Sequence, residues 1–286
     1  MKIISDKIFD EERALYGSQG IKLQKCRFDG EADGESALKE SRDIIVEDSY
    51  FNLRYPFWHD SGVEISRCTL TELCRAPLWY SDGIVIRESK LHGIKTLREC
   101  ENVRIEDSNI SSLEFGWFLH GIDIKSTSIE GEYFMLRSSE LHLNDVKLKG
   151  KYSFQYVTDA LIENCYLDTK DAFWHAKNVT VKNSIVKGEY LGWYSEGLTL
   201  ENCTVIGTQP LCYCKGLKLI NCKTEDCDLS FERSEVEADI RSHIVSIKNV
   251  TSGIVEVDSV GEIIADEPFA KGEIIVRSEK RAESDE

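Results

Sequence analysis

Five tryptophans, Trp58, Trp79, Trp117, Trp174 and Trp193, stand in stretches of one kind: YPFWHDS, APLWYSD, EFGWFLH, KDAFWHA and EYLGWYS. The position after the tryptophan carries His59, Tyr80, Phe118, Tyr156, His175, Tyr194 and Tyr213. The position before it carries Phe57, Leu78, Leu97, Met135, Phe154, Phe173 and Leu211, with Gly116 and Gly192 in other copies. Rings repeated in this way suit carbohydrate, since they stack on sugar faces, while Arg98 and Gln155 at the tryptophan position would bond hydroxyls or carboxylates. Arg54, Arg75, Lys170, Asp171, Glu114, Glu132 and Glu189 lie at the margin of these stretches. Glycoside hydrolysis needs two carboxyl groups roughly 5 to 9.5 Å apart, which Glu114 with Glu132, or Asp171 with Glu189, would supply from neighbouring repeats. Elimination needs a base beside a group that neutralises a carboxylate, and His59, Arg75 and Arg98 are the candidates. The expected ligand-binding set is Arg54, Trp58, His59, Arg75, Trp79, Tyr80, Arg98, Trp117, Gln155, Tyr156, Trp174, His175, Trp193 and Tyr194. The residues do not decide between a polysaccharide lyase or glycoside hydrolase-like enzyme and a protein that only binds.

What must position these residues is a repeat. From Ile84 the chain recurs every 19 residues, through Val103, Ile122, Leu141, Ala160, Val179, Leu198 and Leu217. Each unit opens on an apolar/polar alternation such as VRIEDSNI or VTVKNSIV, the two-residue period of a half-buried strand. Helical repeats need units of roughly 33 to 47 residues, so the coils are β. Earlier copies begin at Ile21, Ile44 and Val63, with the extra residues expected in loops near 32–35 and 73–75. The predicted fold is all-β, a single-stranded parallel β-helix of 19-residue coils, about 11 to 14 of them. An N-terminal cap is expected over 1–20, with a short helix at 10–15, and regular coils over 21–235. Beyond Leu229 the period breaks but alternation persists, so 236–276 is read as C-terminal β coils or cap and 277–286 as a disordered tail.

Columns of equivalent residues become ladders on one face. The first, third, sixth and eighth motif residues are expected inward. The outward fourth position runs Arg87, Glu106, Lys125, Asn144, Glu163, Lys182, Glu201, a nearly alternating charge pattern that suits solvated cross-strand pairing. Asn164, Asn183, Asn202 and Asn221 share a position where a left-handed corner is expected. Cys26, Cys68, Cys165, Cys203 and Cys222 share another with Ser49, Ser89, Ser108 and Ser184, a slot for small buried side chains. Tryptophan is expected outward, because its column also holds Arg98 and Gln155 while the preceding column holds nothing polar; with the opposite parity the Tyr/His column is the exposed one. Either way an aromatic stripe faces water or a partner, so a homo-oligomer or protein-interaction scaffold is the alternative to an oligosaccharide site.

With 51 acidic and 35 basic residues the formal charge is −16, which disfavours nucleic acid. The sequence shows neither an apolar signal segment nor 18 apolar residues in a row, and is read as cytoplasmic, without a membrane partner. Ten cysteines are read as free thiols; Cys212 and Cys214 lack a second ligand pair, so no metal and no cofactor are expected. His142 beside Asp123, on a flat sheet face, is read as surface pairing.

The segments ERALYG, FDGEADGESALKE, RYPFWH, CRAPLWY, GKYSFQY, DAFWH, GEYLGWYS and GTQPLCY resemble an uncharacterised bacterial domain-of-unknown-function family with a pectin-lyase-like right-handed β-helix, sometimes labelled hydrogenase-4 component G. The resemblance covers about residues 11–240. It implies the handedness of the coils, and through the wider superfamily it implies carbohydrate as the ligand class, an analogy of fold. The hydrogenase label has no support in Cys-x-x-Cys spacing or membrane spans.

Overall fold

A computed structural model describes residues 1–277. The chain is an all-β parallel β-solenoid of about 14 turns with coils of roughly 19 residues and almost no helix. It divides into two compact units, Met1–Lys147 and the remainder from Leu148.

In the first unit, strands Lys2–Ser5, Gln19–Gln24, Arg42–Glu47, Ser61–Ser66, Asp82–Arg87 and Glu101–Glu106 form one parallel ladder. Its register aligns Ile21, Ile44, Val63, Ile84, Val103 and Ile122, the motif starts read from the sequence. A second ladder aligns Phe28, Phe51, Leu70, Leu91, Ile110 and Ile129. Between the two, Asp107 adopts a left-handed φ of 48° and turns the chain, so that Val103, Ile105, Ser108 and Ile110 all point into the coil. The interior is filled by identical neighbours in file: Phe28 stacks on Phe9 at 5.0 Å and on Phe51 at 4.4 Å. The expected helix at 10–15 is instead a turn region. Arg13 and Leu15 donate their N–H groups to Glu35 and Ala37 of the next coil, so backbone groups a helix would use internally are drawn into the ladder. The expected loop at 73–75 contains a 3-10 turn, Glu72–Cys74, capped by the Thr71 hydroxyl.

In the second unit, Thr158–Glu163, Lys177–Lys182, Thr199–Glu201, Leu217–Glu225, Glu235–Lys248, Ser252–Ile264 and Glu273–Val276 continue the same pattern. Where the sequence period fails, pairing persists through register shifts, between Leu219 and Cys222 and between Ile240 and His243. Arg277 joins the carboxylates of Asp239, Glu256 and Asp258. Residues 278–286, within the expected tail, lie outside the described residues.

Two interior or corner ladders explain residue choices that hydropathy alone does not. In the cysteine/serine slot, Cys26 N–H donates to Ser49 Oγ, Ser49 N–H to Cys68 Sγ, and Cys68 N–H to Ser89 Oγ. Each small side chain thus satisfies a buried donor of the preceding coil, and Ser and Cys are interchangeable because both accept. At the asparagine corner, φ is 56°, 49°, 53° and 51° for Asn164, Asn183, Asn202 and Asn221. Asn221 donates to Asn202 at 2.8 Å, and Asn202 to Asn183 at 3.2 Å. Among the described residues, no helix is long and apolar enough to cross a membrane.

Candidate binding site

The residue before each tryptophan is buried: Phe57, Leu78, Leu97, Met135, Phe154, Phe173 and Leu211 all lie in the core. The tryptophans are half-buried on the outside of the coil, as their polar substitutes Arg98 and Gln155 suggested. The next residue is outward as well, because it takes a left-handed φ: 60° at His59, 55° at Tyr80, 57° at Phe118, 57° at Tyr156, 56° at His175, 60° at Tyr194 and 60° at Tyr213. That corner breaks strand alternation, since a strand would have sent this residue inward. Two adjacent columns therefore face out, and the residue after them returns to the core, as Asp60, Ser81 and Ser195 do.

The tryptophan column has a definite task. Trp117, Trp174 and Trp193 donate their indole N–H groups to the backbone oxygens of Tyr133, Tyr190 and Gln209, each sixteen residues on, at 2.8, 2.6 and 2.8 Å. Trp58 reaches Ala76 O at 2.7 Å. Gln155 does the same with its amide, donating to Asp171 O at 3.2 Å. The side chains at this position tie a corner carbonyl to the coil before it. Arg98 lies over the rings of Trp79 and Trp117, 5.1 and 5.0 Å from their centroids, and meets Glu99 and Glu114 at 3.6 and 3.9 Å.

The outer rings stack on one another. In the second unit Tyr156, His175, Tyr194 and Tyr213 follow at 4.8, 5.1 and 4.9 Å, with planes within about 12° of parallel. Trp174 and Trp193 stack at 5.5 Å. In the first unit His59 stacks on Tyr80 at 5.0 Å. The row then meets Glu99, whose place between Tyr80 and Phe118 leaves an open hollow of about 470 Å³ that Glu101 and His120 complete. Within the second-unit row the faces of His175 and Tyr194 are filled by neighbouring rings, so a ligand there meets ring edges, phenol hydroxyls and imidazole nitrogens.

Two of the carboxylate candidates, Glu114 and Glu189, are held in ion pairs. Glu114 pairs with Lys95 at 3.5 Å and with Arg98. Glu189 pairs with Lys170 at 2.8 Å. Asp171 is buried, and desolvation pushes its carboxyl above the ordinary range. Arg54 turns to Asp33 and Glu35, at 3.3 and 3.7 Å. His142 and Asp123 face each other at 3.7 Å, both well exposed on the sheet face. Arg87 pairs with Glu106, and Lys182 with Glu201, in the outward fourth column. All ten cysteines are buried and unbridged, including Cys212 and Cys214. Burial pushes most of these thiols up, to about 12 at Cys212 and about 11 at Cys214.

A further hollow, of about 290 Å³, opens beside Trp79, lined by Tyr55, Arg75, Ala76, Trp79, Ile94 and Lys95. Of these the sequence pointed to Arg75 and Trp79. Tyr55, Ala76, Ile94 and Lys95 were missed because they belong to the irregular last third of the coil. One signal was present: three residues before the other tryptophans stand Tyr55, Glu114, Asp171 and Tyr190, and only before Trp79 does an alanine stand.

In fold, the chain is similar to the Streptococcus pneumoniae surface protein and adhesin PfbA, at 8% identity over 84% of this chain and 81% of that one, with a TM-score of 0.41. It is similar also to the A-module of the Azotobacter vinelandii mannuronan C-5 epimerase AlgE6, at 9% identity over 92% and 81%, with a TM-score of 0.34. The plasmid-mediated fluoroquinolone resistance protein QnrB1 follows at 10% identity over 78% and 88%, with a TM-score of 0.22. A search of curated proteins finds no match to the sequence. Residues 2–276, which include both ring rows and every coil start named above, match the family described as "Protein of unknown function (DUF3737)", and the chain belongs to that family.

Proposed function

We propose that the chain binds an extended carbohydrate along its outward ring rows and does so without making or breaking a bond. The observation that carries this is the row Tyr156, His175, Tyr194 and Tyr213, whose rungs recur every 4.8 to 5.1 Å. That interval is close to the length of one sugar residue in an extended glycan, so successive residues would meet the same kind of phenol or imidazole edge. Recognition would rest on hydrogen bonds to those edges, since the faces of His175 and Tyr194 are taken up by stacking. What supports binding without chemistry is that Glu114 and Glu189 are held in ion pairs and that Asp171 is buried.

Calorimetric titration with neutral and acidic oligosaccharides of two to six residues tests this. Affinity is expected to rise with length up to about four residues and to fall severalfold in Tyr194→Phe, which removes only the hydroxyl. Length-independent or absent binding in both series would sink it. A second reading, a docking face for a second copy of the chain, is favoured by the exposure of Ile94 and Leu113 beside the ring columns. Light scattering that shows a dimer in which the ring hydroxyls resist exchange would decide for that reading.

A further inference from the structure

The hollow beside Trp79 lies where an alanine takes the position that holds Tyr55, Glu114, Asp171 or Tyr190 before the other tryptophans. In the neighbouring coil Trp58 is packed by Tyr55 at 4.7 Å, and in the second unit Trp193 is packed by Tyr190 at 5.3 Å. At the equivalent distance before Trp79 stands Ala76, which supplies no ring. Trp79 is also the one tryptophan whose indole N–H departs from the backbone pattern. It turns to Glu99 Oε1 at 3.4 Å instead of the carbonyl of Lys95, sixteen residues on. Its ring stands edge-on to Trp58, at 70° and 5.1 Å. The short Ala76 side chain and the turned indole together leave the cavity of about 290 Å³.

The surroundings of this cavity are fixed. Trp58 donates to Ala76 O at 2.7 Å, and Lys95 N–H donates to Arg75 O at 2.8 Å. A side chain at Gly93 would meet Arg75 O and Pro77 Cδ, both at 2.8 Å, so the chain passes here only as glycine. Arg75 itself sits in a left-handed conformation, φ 55°, at the end of the 3-10 turn. Its charge is unbalanced. Lys95 shares Glu114 with Arg98, but Arg75 makes no ion pair among the described residues, in a chain of net charge −16.

We propose that this hollow is a binding site for a carboxylate carried on a six-membered ring, the ring filling the space that Ala76 leaves open between Tyr55 and Trp79 and the carboxylate meeting Arg75. A cavity walled by Tyr55, Ala76, Trp79 and Ile94, in which Lys95 is paired with Glu114 and the Arg75 guanidinium is not paired among the described residues, selects for both features at once. The site does not depend on the ring rows binding anything. The shared chemistry has two sources, an aryl acid or an acidic sugar, and the experiment separates them.

The full chain with 15N-labelled tryptophan gives one indole N–H signal for each of its five tryptophans, with Trp79 assigned through Trp79→Phe. It is titrated with 4-hydroxybenzoate and with glucuronate, and in parallel with 4-hydroxybenzyl alcohol and methyl glucoside. The expected result is a saturable shift of the Trp79 signal by at least one acid, at least fivefold tighter than its neutral counterpart, and weakened at least fivefold in Arg75→Gln. Response to 4-hydroxybenzoate alone supports the site with an aryl acid as ligand, and response to glucuronate alone supports it with an acidic sugar. No shift with either acid, equal response to the neutral compounds, or an unchanged affinity in Arg75→Gln folded as the parent by circular dichroism overturns it. Shifts at Trp174 or Trp193 alone would speak for the ring rows and against this site.

Discussion

Asp60 offers the sharpest quantitative test of how the coils are held together. It follows the outward His59 and returns to the core with 2% of its surface exposed, in the column that holds Ser41 before it and Ser81 after it. Its Oδ1 accepts the Ser41 N–H at 2.8 Å, whereas Oδ2 is buried without a partner. Desolvation dominates, and the carboxyl is pushed up from 3.8 to about 8 despite the opposing backbone hydrogen bonds. Between pH 4 and 8 the folded chain therefore keeps a proton that the unfolded chain releases, so stability falls as pH rises through that window and levels off above it. At about 1.4 kcal/mol per pH unit the full penalty is at most about 6 kcal/mol, and relaxation of the surroundings would bring it nearer 3 kcal/mol. Asp60→Asn keeps the acceptor for Ser41 and removes the charge. It is expected to match the parent near pH 4 and to exceed it by about 3 kcal/mol at pH 8 to 9. Solenoids can unfold in parts, so urea midpoints should be read together with hydrogen exchange of the Ser41 amide, which reports the coil concerned. Parallel stability curves for parent and variant from pH 4 to 8 would refute the assignment of a neutral, buried Asp60.

Two other outcomes follow from the ladders. The thiols whose ionisation burial pushes to about 11 or 12, among them Cys74, Cys100, Cys212, Cys214 and Cys227, should be inert to a thiol reagent at pH 8 in the native protein and react on denaturation. Fast native labelling of any of these would contradict their burial in the core. Asn202→Ala should destabilise by about 1 to 2 kcal/mol, read by urea midpoint, because it removes bonds to Asn183 and Asn221 and leaves in a left-handed corner a residue without the short polar side chain that lets asparagine tolerate it. Asn202→Gly should cost less, since the backbone conformation is then free.

Much of the fold is legible because a period survives where an individual strand signal is ambiguous. The motif starts from Ile21 to Ile122 coincide with the observed register, and the asparagine corner is where left-handed backbone was expected. The turn at 10–15 was not legible as such, because its hydrogen-bond partners, Glu35 and Ala37, lie a full coil away and no local pattern encodes them. The aromatic columns show a different limit. Repetition of tryptophan identifies an outward column, as Arg98 and Gln155 indicated, but the sequence cannot separate a ring offered to a ligand from a ring whose N–H ties down the next coil. Gln155 distinguishes them in the structure, since it performs the tie without an aromatic face. The hollow at Trp79 lay in the residues that interrupt the period, where repetition has no predictive force.

The left-handed residue that follows each tryptophan separates what a coil requires from what it displays. Closure depends on the buried residues before the tryptophan and after the corner, whereas the corner side chain itself projects outward and is constrained chiefly by its backbone. His59, Tyr80, Glu99 and Phe118 already occupy equivalent corners at φ between 49° and 60°. The row is in effect a panel of exchangeable characters on a fixed frame, and its lettering can drift between related chains, or be rewritten by design, coil by coil, while the frame stays unchanged.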